Sequence, residues 1–207
     1  MGGRRELGYN QGVEELNVTE VYDPSTDTWT IKAPMLDPAG YVSAVVDNKI
    51  FVIGPELTQV YDPETDSWTK ASSSPINIVA GGANGVAAAA AATTGTMAPK
   101  RIYVYDGSSL QVYNPQNDSW TFGEAPPTSR QYLGIAVVND LLYFIGGFTY
   151  SHPFSYNDYA TNEQYTPFGY GTLQEPTPFP IMPVVAVSGA SGVVGAVLVI
   201  YLKKRKH

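Results

Sequence analysis

The sequence predicts an all-β fold assembled from repeated units of four short strands, and three observations carry that expectation. The nine residues "VYDPSTDTW" (Val21 to Trp29) return as "VYDPETDSW" (Val60 to Trp68) and "VYNPQNDSW" (Val112 to Trp120), each copy ending on one of the chain's three tryptophans. Apolar runs of strand length lie between the copies, bounded by turn residues. Glycine (20), proline (16) and tyrosine (15) are abundant in the 207 residues, a composition that favours turns and strands over long helices. Self-similarity at a period of roughly 20–50 residues marks a repeat architecture.

Each element follows in order. The first strand of a unit is small and apolar: "VSAVV" (Val42 to Val46), "VAAAAAA" (Val86 to Ala92) and "LGIAVV" (Leu133 to Val138). The second alternates aromatic and aliphatic residues and ends on glycine or a turn, as in "IFVIG", "IYVYDG" and "LYFIGG". The third ends in Val-Tyr or Gln-Tyr. A turn such as Asp23-Pro24-Ser25-Thr26-Asp27 follows, suited to reversal by proline's fixed φ and by side-chain hydrogen bonds to nearby backbone. The fourth strand begins around the tryptophan. Trp29 and Trp68 lie 39 residues apart, Trp68 and Trp120 52 apart. The added length falls in "VAGGANGVAAAAAATTGTMAPK" (Val79 to Lys100), an alanine-rich strand with a longer turn. A degraded fourth copy, "QYTPFGYG", carries Tyr165 but no tryptophan.

This set of features resembles the kelch repeat. The matching residues are Gly146-Gly147, the pairs Tyr22/Trp29, Tyr61/Trp68 and Tyr113/Trp120, and Arg130 before the strand "YLGIAVV". Gly54-Pro55 and Asp106-Gly107 depart from the double glycine, and Pro38 stands where the first unit would carry the arginine. The resemblance spans residues 1–172 and implies a β-propeller of radially arranged four-stranded blades. It also implies that each tyrosine and tryptophan packs between neighbouring sheets.

The unit count predicts an incomplete propeller of about 3.5 blades, fewer than the four to eight usual for the architecture. The first unit holds only third and fourth strands, two full units follow, and the last has a long loop and a weak final strand. Sticky open edges would favour self-association. A truncated or mis-started reading frame is the expectation, supported by the absence of an apolar export signal in residues 1–20.

Beyond the blades the composition changes. "TLQEPTPFP" (172–180) reads as a stiff proline-rich spacer, the spacer proper being 173–180. Residues 181–202, "IMPVVAVSGASGVVGAVLVIYL", carry no charge and as a helix would reach about 33 Å, enough to cross the hydrocarbon layer. The basic tail "KKRKH" (203–207) is expected to stay cytoplasmic by the positive-inside rule, placing the blades outside on a single-pass cell-membrane anchor. Ser188, Gly192 and Ala196 have the small-residue spacing that permits helix pairing. This layout resembles the anchors of archaeal cell-surface proteins.

Composition also excludes functions. The chain has no cysteine, so disulfides, thiolate metal sites and cysteine nucleophiles are ruled out. The net charge is −7 although the tail is basic, leaving an acidic body that argues against a nucleic-acid partner. The histidines are His152 and the terminal His207, and the sequence shows no phosphate loop, metal spacing or nucleophile motif. No enzyme activity, cofactor, catalytic residue or metal site is expected. Asp23, Ser25 and Asp27 alternate as in a calcium loop, as do Asp62, Glu64 and Asp66, but without the central glycine and distal glutamate they read as turns.

The candidate binding element is "FTYSHPFSYNDYATNE" (Phe148 to Glu163), read as a long loop presenting Tyr150, His152, Phe154, Tyr156 and Tyr159. Exposed rings of this kind stack on sugars or anchor a protein partner. "RRELGYNQGVEE" (Arg4 to Glu15) is the equivalent loop of the first unit. Asn17 and Asn117 begin glycosylation sequons, relevant to an extracellular body. The sequence therefore predicts a membrane-anchored, outward-facing, non-catalytic module that binds protein or glycan. Two other readings are the C-terminal part of a propeller lyase or oxidase with catalytic residues in upstream blades, and a structural cell-envelope component.

Overall fold

A computed structural model describes residues 1–6, 12–38, 42–54, 56–75, 89–152 and 155–172. These lie in the first of the chain's two compact bodies, Met1–Gln174, which holds all the repeat units described below. Every regular element among them is a β-strand. A short hairpin, β1 (Arg4–Glu6) and β2 (Val13–Glu15), precedes the two-stranded sheet of β3 (Thr19–Asp23) and β4 (Thr28–Lys32). The second unit is a four-stranded antiparallel sheet of β5 (Val42–Val46), β6 (Lys49–Ile53), β7 (Thr58–Asp62) and β8 (Ser67–Ala71), paired in chain order. The third repeats that order with β9 (Ala89–Ala92), β10 (Ile102–Tyr105), β11 (Leu110–Asn114) and β12 (Ser119–Gly123). The fourth pairs β13 (Gly134–Val138), β14 (Leu141–Ile145) and β17 (Asn162–Tyr165), while β15 (Phe148–His152) and β16 (Ser155–Asp158) form a separate hairpin.

Local chemistry explains the connections. Asp47-Asn48 and Asn139-Asp140 join first to second strands with φ of 49°, 60°, 52° and 59°, the left-handed pair of a tight hairpin that asparagine and aspartate tolerate. The turns between third and fourth strands are also alike. Asp23, Asp62 and Asn114 each accept the N–H two residues on, from Ser25 (2.8 Å), Glu64 (3.0 Å) and Gln116 (3.1 Å). Asp27, Asp66 and Asp118 then take left-handed φ of 53°, 49° and 52°. These aspartates are turn residues, as their spacing predicts.

The alternation in β6 and β10 sends side chains to both faces, so the middle sheets are buried on two sides. Phe51 and Ile53 meet Ile102, Val104 and Tyr113 of the third unit. Val52 instead joins Met35, Tyr61 and Trp68 against the chain leaving β4. On the far face of the third unit, Tyr103, Tyr105 and Leu110 pack on Leu133, Leu142 and Phe144 of the fourth. The units thus stack face to face in chain order, as propeller blades do.

Three differences from the sequence reading stand out. The segment Phe148 to Glu163 is a β-hairpin followed by the start of β17, because its polar and aromatic residues alternate at strand period. Trp29 is 68% exposed and Tyr22 42%, so the first pair does not pack between sheets. The described residues of the fourth unit hold three strands, without a partner for the outer edge of β17. The expected spacer, membrane span and basic tail at 173–180, 181–202 and 203–207 lie outside the described residues. Among the described residues, no helix is long and apolar enough to cross a membrane.

Candidate functional site

The repeated nine residues build a clamp. In the second unit Tyr61 and Trp68 lie opposite one another on β7 and β8, ring centroids 5.0 Å apart. Tyr61 donates its hydroxyl to Asp66 Oδ1 at 2.7 Å, and the same oxygen accepts the N–H of Ala33 at 2.9 Å. Trp68 Nε1 donates to the Ala33 carbonyl at 2.9 Å. One residue of the chain leaving β4 is therefore held by both of its main-chain groups. The third unit holds Ser72, leaving β8, in the same manner. Ser72 N–H reaches Asp118 Oδ1 (2.8 Å), Trp120 Nε1 reaches the Ser72 carbonyl (2.8 Å), and Tyr113 supports Asp118 (2.7 Å).

The electrostatics follow the geometry. Burial and the Asp66 carboxylate push the Tyr61 hydroxyl up to about 12, and burial with Asp118 raises Tyr113 likewise. Asp66 is held below the usual carboxylate range by the Ala33 N–H first, then by the Tyr61 hydroxyl, with Lys32 adding its charge. The Ser72 N–H does the same for Asp118.

A second hook lies two residues before each tyrosine, a position the sequence reading did not single out. Gln59, fully buried, accepts the Asp37 N–H (3.0 Å) and donates to the Asp37 carbonyl (2.8 Å). Gln111, also fully buried, accepts from Ser74. In the fourth unit Glu163 accepts Thr128 Oγ1 (2.7 Å) and pairs with Arg130. The repeating Gln/Gln/Glu before Val-Tyr or Gln-Tyr was the available signal.

Arg130 and the double glycine, matched separately to the kelch pattern, come together in the structure. The Arg130 side chain is fully buried and donates to the carbonyls of Gly146 (2.6 Å), Thr128 (2.8 Å) and Phe144 (2.9 Å). Burial works to raise the Glu163 carboxyl, but hydrogen bonds from Thr128 and Arg130 and the guanidinium charge outweigh it and hold it low. Gly147 has φ of 97°, and a Cβ there would lie 2.6 Å from the Gln131 carbonyl oxygen, so only glycine fits.

That double glycine launches the candidate binding element. Gly146 N–H bonds the Thr161 carbonyl and Tyr159 N–H the Gly147 carbonyl, both at 2.9 Å, closing the base of the β15–β16 hairpin. The first unit repeats the arrangement: Gly2 N–H to the Val18 carbonyl and Leu16 N–H to the Gly3 carbonyl, both 2.8 Å, close the base of β1–β2. The two hairpins are thus equivalent in position, as the sequence suggests. They differ in chemistry. The first carries an exposed cross-strand ion pair, Arg5 with Glu14. The second carries rings.

On β15–β16, Tyr150 and Tyr156 face each other across the strands, perpendicular at 6.5 Å and exposed by 59% and 63%. Phe148 lies 5.3 Å from Tyr150 and 5.8 Å from Tyr156. Tyr132 stacks flat on Phe148 at 4.7 Å and 5°. Its φ of 56° is unusual for a bulky residue, and the paired Gln131–Phe148 hydrogen bonds (2.9 Å each) enforce it. Tyr159 stands at the hairpin base, half-buried, its hydroxyl 3.3 Å from Thr149 Oγ1. His152 is the last residue of β15, while its side chain and Phe154 lie outside the described residues. The structure therefore groups Tyr150 and Tyr156 with Phe148 and Tyr132. Tyr132 carried no sequence signal, since it sits in a different loop and joins through the bridge at Gln131.

The described residues contain no group of three or more His, Cys, Asp or Glu able to hold a metal ion. Asp140, buried beside a groove lined by Met97, Val137 and Tyr170, spends both oxygens on N–H groups of Thr94, Thr96, Met97 and Ala98 and is a loop anchor.

Comparison with known proteins agrees with this geometry for part of the chain. No curated protein matches it. Residues 1–36, from the first double glycine through β4 and its exit, match the family described as the Kelch motif. That match and the antiparallel four-stranded units together support a kelch-repeat propeller architecture, of the kind that carries protein-interaction modules.

Proposed function

We propose that this chain is a membrane-anchored, outward-facing, non-catalytic binding module that engages a protein or glycan through the aromatic platform on β15–β16. The observation that carries the reading is the preformed ring cluster. Tyr132 is fixed at a costly φ and stacked on Phe148, and Phe148 in turn contacts two largely exposed tyrosines. Rigid rings with few rotatable bonds lose little entropy on binding, so a platform of this kind favours affinity. Strain and exposure at the same place fit a binding role better than a packing one. The anchor and orientation rest on the uncharged segment 181–202 and the basic tail after it.

Two experiments test the reading. The triple variant Tyr132→Ala/Tyr150→Ala/Tyr156→Ala, displayed on cells and probed with neutral glycans and with surface-protein extracts, is expected to lose capture by more than about tenfold while its thermal transition persists. Capture undiminished in a folded variant removes the platform from the account. Because the chain has no cysteine, a single cysteine placed at Ser155 or at Lys203 reports sidedness cleanly. Labelling by an impermeant maleimide is expected at Ser155 and not at Lys203, and the reverse pattern overturns the orientation.

A further inference from the structure

The register of the β15–β16 hairpin sorts its side chains onto two faces. Tyr150 pairs with Tyr156 and Phe148 with Asp158, and cross-strand partners share a face, so three rings and one carboxylate project together. Thr149 pairs with Asn157 and takes the other face. The three rings do not form a flat surface. Tyr150 stands at 84° to Phe148 and at 90° to Tyr156, with centroids 5.3 and 6.5 Å apart. They meet as a corner whose two tyrosines are largely exposed. Asp158 is exposed as well. Among the described residues its carboxylate is in none of the ion pairs, which join Arg5 to Glu14, Lys49 to Asp62, Lys100 to Asp47 and Arg130 to Glu163. The sequence from Phe148 to Glu163 contains no lysine or arginine. On the equivalent hairpin of the first unit, by contrast, Glu14 already holds Arg5 across the strands.

Building on the reading that this platform binds a partner, we infer that its ligand is an arginine side chain presented by a protein, not a sugar. A sugar ring stacks face-on over a flat aromatic surface, whereas two perpendicular rings present a notch for a narrow, planar group. A guanidinium is such a group. Its face stacks on an aromatic face, and its edge donates paired N–H groups to a carboxylate. Both partners lie on one face of one hairpin. Asp158 follows Tyr156 by two residues on β16, roughly 7 Å along the strand, a span that a guanidinium and its stem methylenes bridge. The charge of the whole chain acts in the same direction. A net −7, carried in spite of a basic tail, draws a cationic partner in and repels an anionic one.

The test uses the full chain in a polyoxyethylene detergent, which brings neither charge nor sugar to the rings. The probes are the capped peptides Gly-Arg-Gly and Gly-citrulline-Gly, citrulline keeping the shape of arginine without its charge. Each is titrated to about 20 mM, since so few contacts bind weakly. The δ-methylene protons of arginine are expected to move upfield saturably under the ring currents, and citrulline to bind at least about tenfold more weakly. Asp158→Asn is expected to weaken arginine binding about threefold. Tyr150→Leu/Tyr156→Leu keeps every charge and is expected to weaken it at least about tenfold while the thermal transition persists. That variant separates ring binding from general attraction to an acidic protein. An unmoved arginine signal overturns the inference, as does equal binding by citrulline or an unchanged affinity in the double leucine variant. A neutral saccharide that binds these rings where arginine does not also overturns it, and leaves the platform itself in place. Failure of the platform shows separately, as cell-surface capture undiminished in the triple alanine variant.

Discussion

The first unit and the two that follow carry nearly the same nine residues, yet their aromatic pairs live in different surroundings. Trp68 is 9% exposed and Trp29 68%, although both pair with a tyrosine that bonds an aspartate at 2.7 Å. The intra-unit geometry is therefore local, fixed by the turn and the strand pair. Burial is not local. It arrives with the strand exit of the preceding unit, through Met35 and Ala33 for Trp68 and through Ser72 for Trp120. One motif is thus a structural joint where a neighbouring strand exit fills it and, among the described residues, an exposed pair where none does.

The comparison breaks most visibly at the tryptophans. Trp68→Ala and Trp120→Ala each remove a large ring from an inter-sheet contact and an indole donor from a carbonyl, and are expected to cost about 3–5 kcal/mol in denaturant unfolding. Trp29→Ala loses a mostly solvated ring and is expected to cost less than about 1 kcal/mol. Equal costs at all three positions would mean that the first clamp is filled.

The buried hooks sharpen it further. Gln59→Ala removes the side-chain hydrogen bonds to both main-chain groups of Asp37 in a partly buried contact, an expected loss of about 2–3 kcal/mol. Glu20→Ala, at the equivalent exposed position, is expected to leave the unfolding midpoint unchanged.

The smallest effect lies at the turn aspartates and depends on pH. Asp66→Gly keeps the left-handed turn but deletes the acceptor for Ala33, whereas Asp27→Gly deletes an acceptor that, among the described residues, takes only the Tyr22 hydroxyl. The folded state depresses Asp66, so its stabilising part is present above the unfolded value near 3.8 and fades as pH falls through the lower folded value. Thermal scans are expected to show Asp66→Gly melting below the parent at pH 7, Asp27→Gly melting with it, and the first gap closing in acid. A gap that widens below the unfolded value contradicts the assignment.

Much of the fold was legible because the signals are local and repeated. The tyrosine–tryptophan pairs, the Asp-Pro turns and the glycine pair each act within a few residues, and each appears in the structure where the repeat placed it. The exposure of Trp29 was not legible, because it depends on what stands beside the unit rather than on the unit's own residues. The candidate binding element was half legible. Tyr150 and Tyr156 were named from the sequence, but as residues of a long loop, and the structure puts them on adjoining strands. Tyr132 joins them only through the Gln131–Phe148 bridge, a contact across a fold that sequence spacing does not encode. Arg130 was flagged by resemblance, but its partner Glu163 emerged from the third-strand register alone.

The most direct test of the joint-or-surface account is indole hydrogen exchange on the full chain, read from one spectrum with three tryptophan signals. The account predicts slow exchange for Trp68 and Trp120, whose Nε1 groups are bonded to carbonyls, and fast exchange for Trp29. Protection of all three alike would contradict it.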